Sequence, residues 1–102
     1  MPAYVIVDID VKDPEGFARY VQEVSPMLAR WGARYLVRGG GVEVLEGEWD
    51  HHRVVILEFP SRTVAEEFYE SEEYAPLLKL RLDSTDSMLA ILEGYETGQR
   101  VE

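Results

Sequence analysis

From Tyr4 to Val11 apolar and polar positions alternate: Val5, Val7, Ile9 and Val11 share one parity, and Tyr4, Ile6, Asp8 and Asp10 the other. A period of two predicts a strand with one buried face. The period then lengthens. Phe17, Tyr20, Val21, Val24, Leu28 and Trp31 recur at helical spacing and form one apolar stripe. Asp13 before Pro14 supplies a start, a carboxylate cap followed by proline at the first helical position. Gly32 is placed to end this helix, and Pro26 predicts a kink or break after Val24. Ala33 to Val37 predicts a second strand. Gly39, Gly40 and Gly41 loosen it, with Val42 to Leu45 continuing it past a bulge, and Glu46 to Asp50 is a turn. Arg53 to Phe59, the most apolar run, predicts a central strand that Pro60 ends.

Ser61 or Thr63 caps the next helix, and Thr63 with Glu66 fits a capping box. Val64, Ala65 and Phe68, then Tyr74, Leu77, Leu78, Arg81 and Leu82, give a second amphipathic stretch. Ser71 and Pro76 divide it into two helices or one interrupted helix. Met88 to Leu92 is the last strand, ended by Gly94. The order βαββαβ predicts an α+β, ferredoxin-like fold: an antiparallel four-stranded sheet with two helices on one face. Residues 1–96 form this single domain, and Thr97 to Glu102 a polar tail.

Two helices cover only one face of such a sheet. With Val5, Val7 and Ile9 toward the helices, the open face carries Tyr4, Ile6 and Asp8 from the first strand. From the third it carries Val54, Ile56 and Glu58, the set that contains the charge. That face is too apolar for water alone, and two copies packed sheet to sheet would cover it.

Composition narrows the function classes. The 102 residues hold twenty Asp plus Glu against ten Lys plus Arg, a net charge of −10, which disfavours nucleic acid and anionic membranes as partners. The absence of Cys removes disulfides, thiolate nucleophiles and Cys-ligated metal sites. No apolar run reaches the roughly 18 residues of a membrane span, and Met1 to Asp10 lacks the basic start of a signal peptide, so the expected location is the cytoplasm.

An ordered set of short strings is more specific than any of these. Tyr-Leu-Val-Arg-Gly-Gly (Tyr35 to Gly40), Val-Leu-Glu-Gly (Val44 to Gly47) and Val-Val-Ile-Leu-Glu-Phe-Pro-Ser (Val54 to Ser61) precede Ala65, Tyr69, Ser71, Glu73-Tyr74 and a final Glu93-Gly94. From about Tyr4 to Gly94 the chain resembles the domain-of-unknown-function 1330 family, with Phe68 where that family often has Trp. The resemblance implies a dimeric α+β barrel, two ferredoxin-like sheets enclosing an interior. Related barrel families include cofactor-free monooxygenases, lactone isomerases and haem enzymes. No catalytic residue carries over, and shared fold does not license shared reaction.

Pairing the strands about the Glu46 to Asp50 turn sets Arg38 opposite Glu58 to Pro60, with Tyr4 beside Glu58 if the first and third strands are neighbours. A guanidinium, a carboxylate and a phenol together can bind an organic acid or move a proton; equally, Arg38 and Glu58 can be a cross-strand ion pair. His52 shares parity with Glu58 and approaches Asp8 at the other end, the minimum for general base work or an ordinary turn histidine. His51 points the other way, so the two histidines cannot share one metal. Tyr69 and Tyr74 either roof a pocket or simply pack, with Ser71 as a cap. Trp49, in a turn, suggests a dimer contact. The glycine run lacks the spacing of a phosphate loop and reads as a bulge. The catalytic candidates are therefore Arg38, Glu58 and His52, and the ligand-binding candidates Tyr4, Asp8, Arg38, Glu58 and Tyr69, with no metal and no cofactor. The expected function is a small-molecule-binding homodimer. It would be a cofactor-free enzyme, oxygenase- or isomerase-like, on a small organic acid or aromatic metabolite, or else a non-catalytic binding or structural dimer.

Overall fold

The computed structural model describes residues 1–95, so the expected tail at Thr97 to Glu102 lies outside the described residues. The elements are β1 (Ala3–Val11), α1 (Pro14–Arg30), β2 (Arg34–Arg38), β3 (Arg53–Phe59), α2 (Arg62–Glu70), α3 (Ala75–Ser84) and β4 (Thr85–Glu93). The four strands form one sheet in the order β2-β3-β1-β4, all neighbours antiparallel. This is the ferredoxin-like α+β arrangement, with its second helix split in two.

Alternation sets the faces. Val5, Val7 and Ile9 of β1 and Val55, Leu57 and Phe59 of β3 point toward the helices. There they join Val24 and Leu28 of α1, Phe68 of α2, and Tyr74 and Leu77 beside and within α3 in one core. Burying a side chain such as Phe59, 1% exposed, contributes about 1.5–3 kcal/mol. Tyr4, Ile6 and Asp8 pair with Glu58, Ile56 and Val54 on the opposite face, and with Leu92, Ala90 and Met88 of β4. Leu92 and Met88 are about half exposed there, so the β4 side of the open face is apolar and uncovered in the single chain, whereas Val54 on β3 is buried.

Several local expectations are corrected. Pro26 does not break α1, which runs unbroken for 17 residues. Proline removes the bond to the Gln22 carbonyl, but both residues lie on the exposed side, where that oxygen is open to solvent. Asp13 makes no side-chain cap; its main-chain carbonyl takes the Phe17 N–H, and Pro14 starts the helix. The α2 cap is Ser61, whose Oγ accepts from Val64 N at 3.1 Å, and Glu66 binds Arg62 instead of closing a box with Thr63. Ser71 separates α2 from α3: its hydroxyl donates to Phe68 O (2.7 Å) and accepts from Tyr74 N–H (3.1 Å). Val42 to Leu45 forms no strand, since residues 39–52 are one long connection. The last strand begins at Thr85, earlier than its apolar run, because β4 continues pairing with β1 down to Val11.

Candidate functional site

The pairing of β2 with β3 holds an irregularity that rearranges the expected site. Arg34 faces Glu58 and Tyr35 faces Leu57, but the next pairs are Val37 with Ile56 and Arg38 with Val55. Leu36 is the extra residue of a bulge. Past a bulge every side chain changes face. Arg38 therefore joins Tyr35 on the helix side: its guanidinium lies over the Tyr35 ring, 4.5 Å from the centroid, and 3.5 Å from Ser25 Oγ of α1. The expected contact of Arg38 with Glu58 is absent. Arg34 takes that place, its Nε donating to Glu58 Oε1 at 2.7 Å, and the pair holds the Arg34 guanidinium above its ordinary pKa.

On the open face Tyr4 does lie beside Glu58. Asp8 and His52 also meet, though not as an imidazole–carboxylate pair. The main-chain N–H of His52 donates to Asp8 Oδ1 at 2.8 Å, while its Nε2 lies 3.7 Å from Asp10 Oδ2. Lys12 binds the Asp10 carboxylate at 2.8 Å and holds its pKa below the usual range. Among the described residues no three His, Asp or Glu side chains come together as a metal-holding set. Trp49 stands edge-on to His51 at 5.4 Å and remains about half exposed.

The helix side holds interior space. Two adjoining cavities of about 50 and 40 Å³ lie between α1 and the sheet, both walled by Val7, Tyr20, Val24, Leu28 and Leu57. The first is also bordered by Tyr35, Arg38, Arg53 and Arg81; the second by Phe68, Tyr69 and Tyr74. A polar cluster sits at their junction. Tyr20 Oη and Tyr74 Oη share a hydrogen bond of 2.8 Å, and Arg81 Nε donates to Tyr74 Oη at 3.4 Å. Arg81 Nη1 donates to Ser87 Oγ at 2.5 Å. Burial, together with the Tyr74 phenol beside it, pushes the Tyr20 pKa well above 10.0, so this phenol stays protonated.

Of the sequence candidates, Arg38 and Tyr69 border these cavities, whereas Tyr4, Asp8, His52 and Glu58 lie on the other face of the sheet. Arg53 and Arg81 escaped the sequence reading as site residues. Arg53 shares parity with Val55, Leu57 and Phe59, a charge at an inward position. Arg81 sits within the apolar stripe of α3, a charge where a hydrophobe is expected.

Over residues 2–95 the chain matches a family described as a domain of unknown function (DUF1330). The chain belongs to the DUF1330 family. Among solved structures, a protein of unknown function from Rhodopseudomonas palustris superposes with a TM-score of 0.75 at 23% identity, over 93% of this chain and 83% of that one. A dimeric ferredoxin-like protein of unknown function from Jannaschia sp. CCS1 gives 0.63 at 10% identity, over 92% and 100%. SnoaB, a cofactor-independent oxygenase from Streptomyces nogalater, gives 0.60 at 13% identity, over 97% and 98%. No curated protein matches. At these identities the likeness is one of fold, shared by unknown-function proteins and an oxygenase alike.

Proposed function

We propose that this DUF1330 protein is a cytoplasmic homodimer, joined through its open sheet face, that binds a small organic molecule between the helices and the sheet of each protomer. The observation that carries this reading is the junction of Arg81, Tyr20 and Tyr74 between two cavities whose shared wall, Val7, Val24, Leu28 and Leu57, is apolar. A few convergent polar groups in an apolar recess are the usual composition of a small-molecule site. The half-exposed Leu92 and Met88 beside Ile6 and Ile56 support the dimer, as does the dimeric Jannaschia protein of the same fold. Chemistry without a cofactor is the reaction class we attach to it, on the analogy of the SnoaB fold and on that analogy alone. In this reading Glu58, His52, Tyr4 and Asp8 line the dimer interior, and Arg38 and Tyr69 border the ligand.

A specific observation favours the second reading, a structural dimer with a filled interior. As they stand, the cavities of about 50 and 40 Å³ hold only a few waters, and a metabolite enters only if α1 or its side chains give way. One experiment separates the two. The protein is screened against small metabolites by thermal shift, alongside Val21→Trp, which fills the first cavity from a half-buried position. Ligands that raise the wild-type melting temperature and lose their effect in V21W support the binding site. A wild-type protein that responds to none, while light scattering shows a dimer, leaves the structural reading.

A further inference from the structure

We infer that the ligand of this cavity is a small organic anion, a carboxylate on an apolar body, whose oxygens are received by Arg81, with Arg53 and Arg38 lining the same space. The inference rests on the binding site proposed above and gives that site its ligand class.

Arg81 is 3% exposed, yet among the described residues no carboxylate lies within ion-pair distance of it. Its partners are neutral, Tyr74 Oη and Ser87 Oγ. A guanidinium carries five N–H donors, and these two bonds use the one on Nε and one on Nη1. Among the described residues, three donors, including both on Nη2, have no acceptor. Buried guanidinium groups are ordinarily paired, because desolvating the charge costs more than neutral hydrogen bonds return.

Arg53 repeats the pattern. Its Nε is buried without a partner, and it too has no carboxylate among the described residues. The Phe17 ring lies 5.8 Å from its guanidinium carbon, and Gly39 makes room on another side. A Cβ at Gly39 would stand 2.5 Å from that carbon, so the position of the cation depends on the absence of a side chain there. Arg38 is exposed, and its guanidinium rests on Tyr35. The three cations thus line one cavity at three depths: exposed, half-buried and buried.

The surroundings make this distribution informative. Acidic residues outnumber basic ones two to one in this chain, and none of them borders the cavity. Carboxylates serve Arg30, Arg34 and Arg62 elsewhere. A recess with three cations, no anion and unused planar donors is complementary to a carboxylate, which accepts two parallel bonds from one guanidinium. The adjoining apolar cavity, with Phe68 and Leu89 in its wall, takes the uncharged body.

The test titrates the full chain, dialysed free of small molecules, with propionate, benzoate and 3-phenylpropionate, each beside its primary amide. Calorimetry and thermal shift give the affinities. The expected result is that the acids bind about 10- to 100-fold more tightly than the amides of the same shape, the factor a charge-assisted bond supplies. Arg81→Met abolishes the difference, Arg81→Lys restores part of it, and Arg53→Gln weakens acid binding roughly five-fold. Circular dichroism shows whether each variant is folded, and R53Q, altering a half-buried side chain, keeps the test open if R81M fails to fold. Acids and amides binding equally would overturn the anion class and leave the small-molecule site standing. Neither series binding at millimolar concentration would overturn both. Acids binding folded R81M and R53Q as they bind the wild type would place the anion elsewhere and overturn the assignment.

Discussion

Replacing Arg81 with Met tests whether the buried cation exists for the fold or for something the fold receives. The substitution removes two hydrogen bonds, one at the 3.4 Å limit to Tyr74 Oη and one short bond to Ser87 Oγ. Neither acceptor is orphaned, for Tyr74 Oη keeps Tyr20 Oη at 2.8 Å and Ser87 Oγ keeps Thr85 Oγ1 at 3.2 Å. The loss is therefore about 2 kcal/mol, one good charge-assisted bond and a remnant. Against it stands the desolvation of a guanidinium without a counter-ion, several kcal/mol even after relaxation. A thioether of similar length fills the same space without that penalty. The ligand-free R81M protein should be between unchanged and about 2 kcal/mol more stable than wild type. For a domain of this size that upper figure corresponds to a rise of about 8–16 °C in melting temperature. Urea unfolding at fixed protein concentration measures the difference, with native mass spectrometry confirming that neither sample carries a bound molecule. A loss of 3 kcal/mol or more in ligand-free protein would refute the reasoning and make Arg81 a structural cation satisfied by its neutral partners.

Gly39→Ala forces a side chain into a backbone at φ 72° and should cost about 1–2 kcal/mol in urea unfolding. It also displaces the Arg53 guanidinium, so carboxylate affinity should fall to the R53Q level by calorimetry. In acid, Glu73 titrates below its ordinary 4.5, because its carboxylate accepts from Trp31 Nε1–H (2.8 Å) and Arg30 (2.7 Å). Its folded pKa lies below the unfolded one, so its stabilisation is complete above about pH 4.5 and is lost as the pH falls through the folded value. In a Trp49→Phe background, Trp31 fluorescence should report that titration, and E73Q should erase it. In alkali the sign reverses. Tyr20 holds its proton above pH 10.0, so stability should fall as the pH rises past 10, where the unfolded phenol ionises and the folded one does not. Tyr20→Phe should cost about 1 kcal/mol at neutral pH and flatten that alkaline fall.

Much of the fold is legible in the alternation of β1 and β3, because period two leaves little freedom once one face must be buried. Val5, Val7 and Ile9 against Tyr4, Ile6 and Asp8 assign the faces correctly, and the parity of β3 follows. The split of the second helix is legible in Ser71 and Pro76. The candidate site was less so. Counting back from a turn at Glu46 to Asp50 assumes regular pairing, whereas residues 39–52 form no strand and Leu36 adds a residue to β2. Arg38 consequently changes face, and Arg34, two places before the bulged Leu36, inherits Glu58. Arg53 and Arg81 carry a visible signal, charge at apolar-phase positions, but their lack of carboxylate partners emerges only once the helices are docked. Pro26 misled because a proline on the exposed side of a long helix costs one hydrogen bond and a local clash, which the packing of the opposite side outweighs.

The bulge at Leu36 also changes how relatives should be compared. One residue decides whether the guanidinium four places after Arg34 looks into the protomer or out toward a second copy. A relative that keeps the Tyr-Leu-Val-Arg string but shortens the strand by one residue would present the same letters with the inside turned out. A relative with a different basic residue at the equivalent depth would keep the same interior under a different spelling. Which face a basic residue of this strand presents is therefore set by strand length and pairing as well as by the letters of the motif.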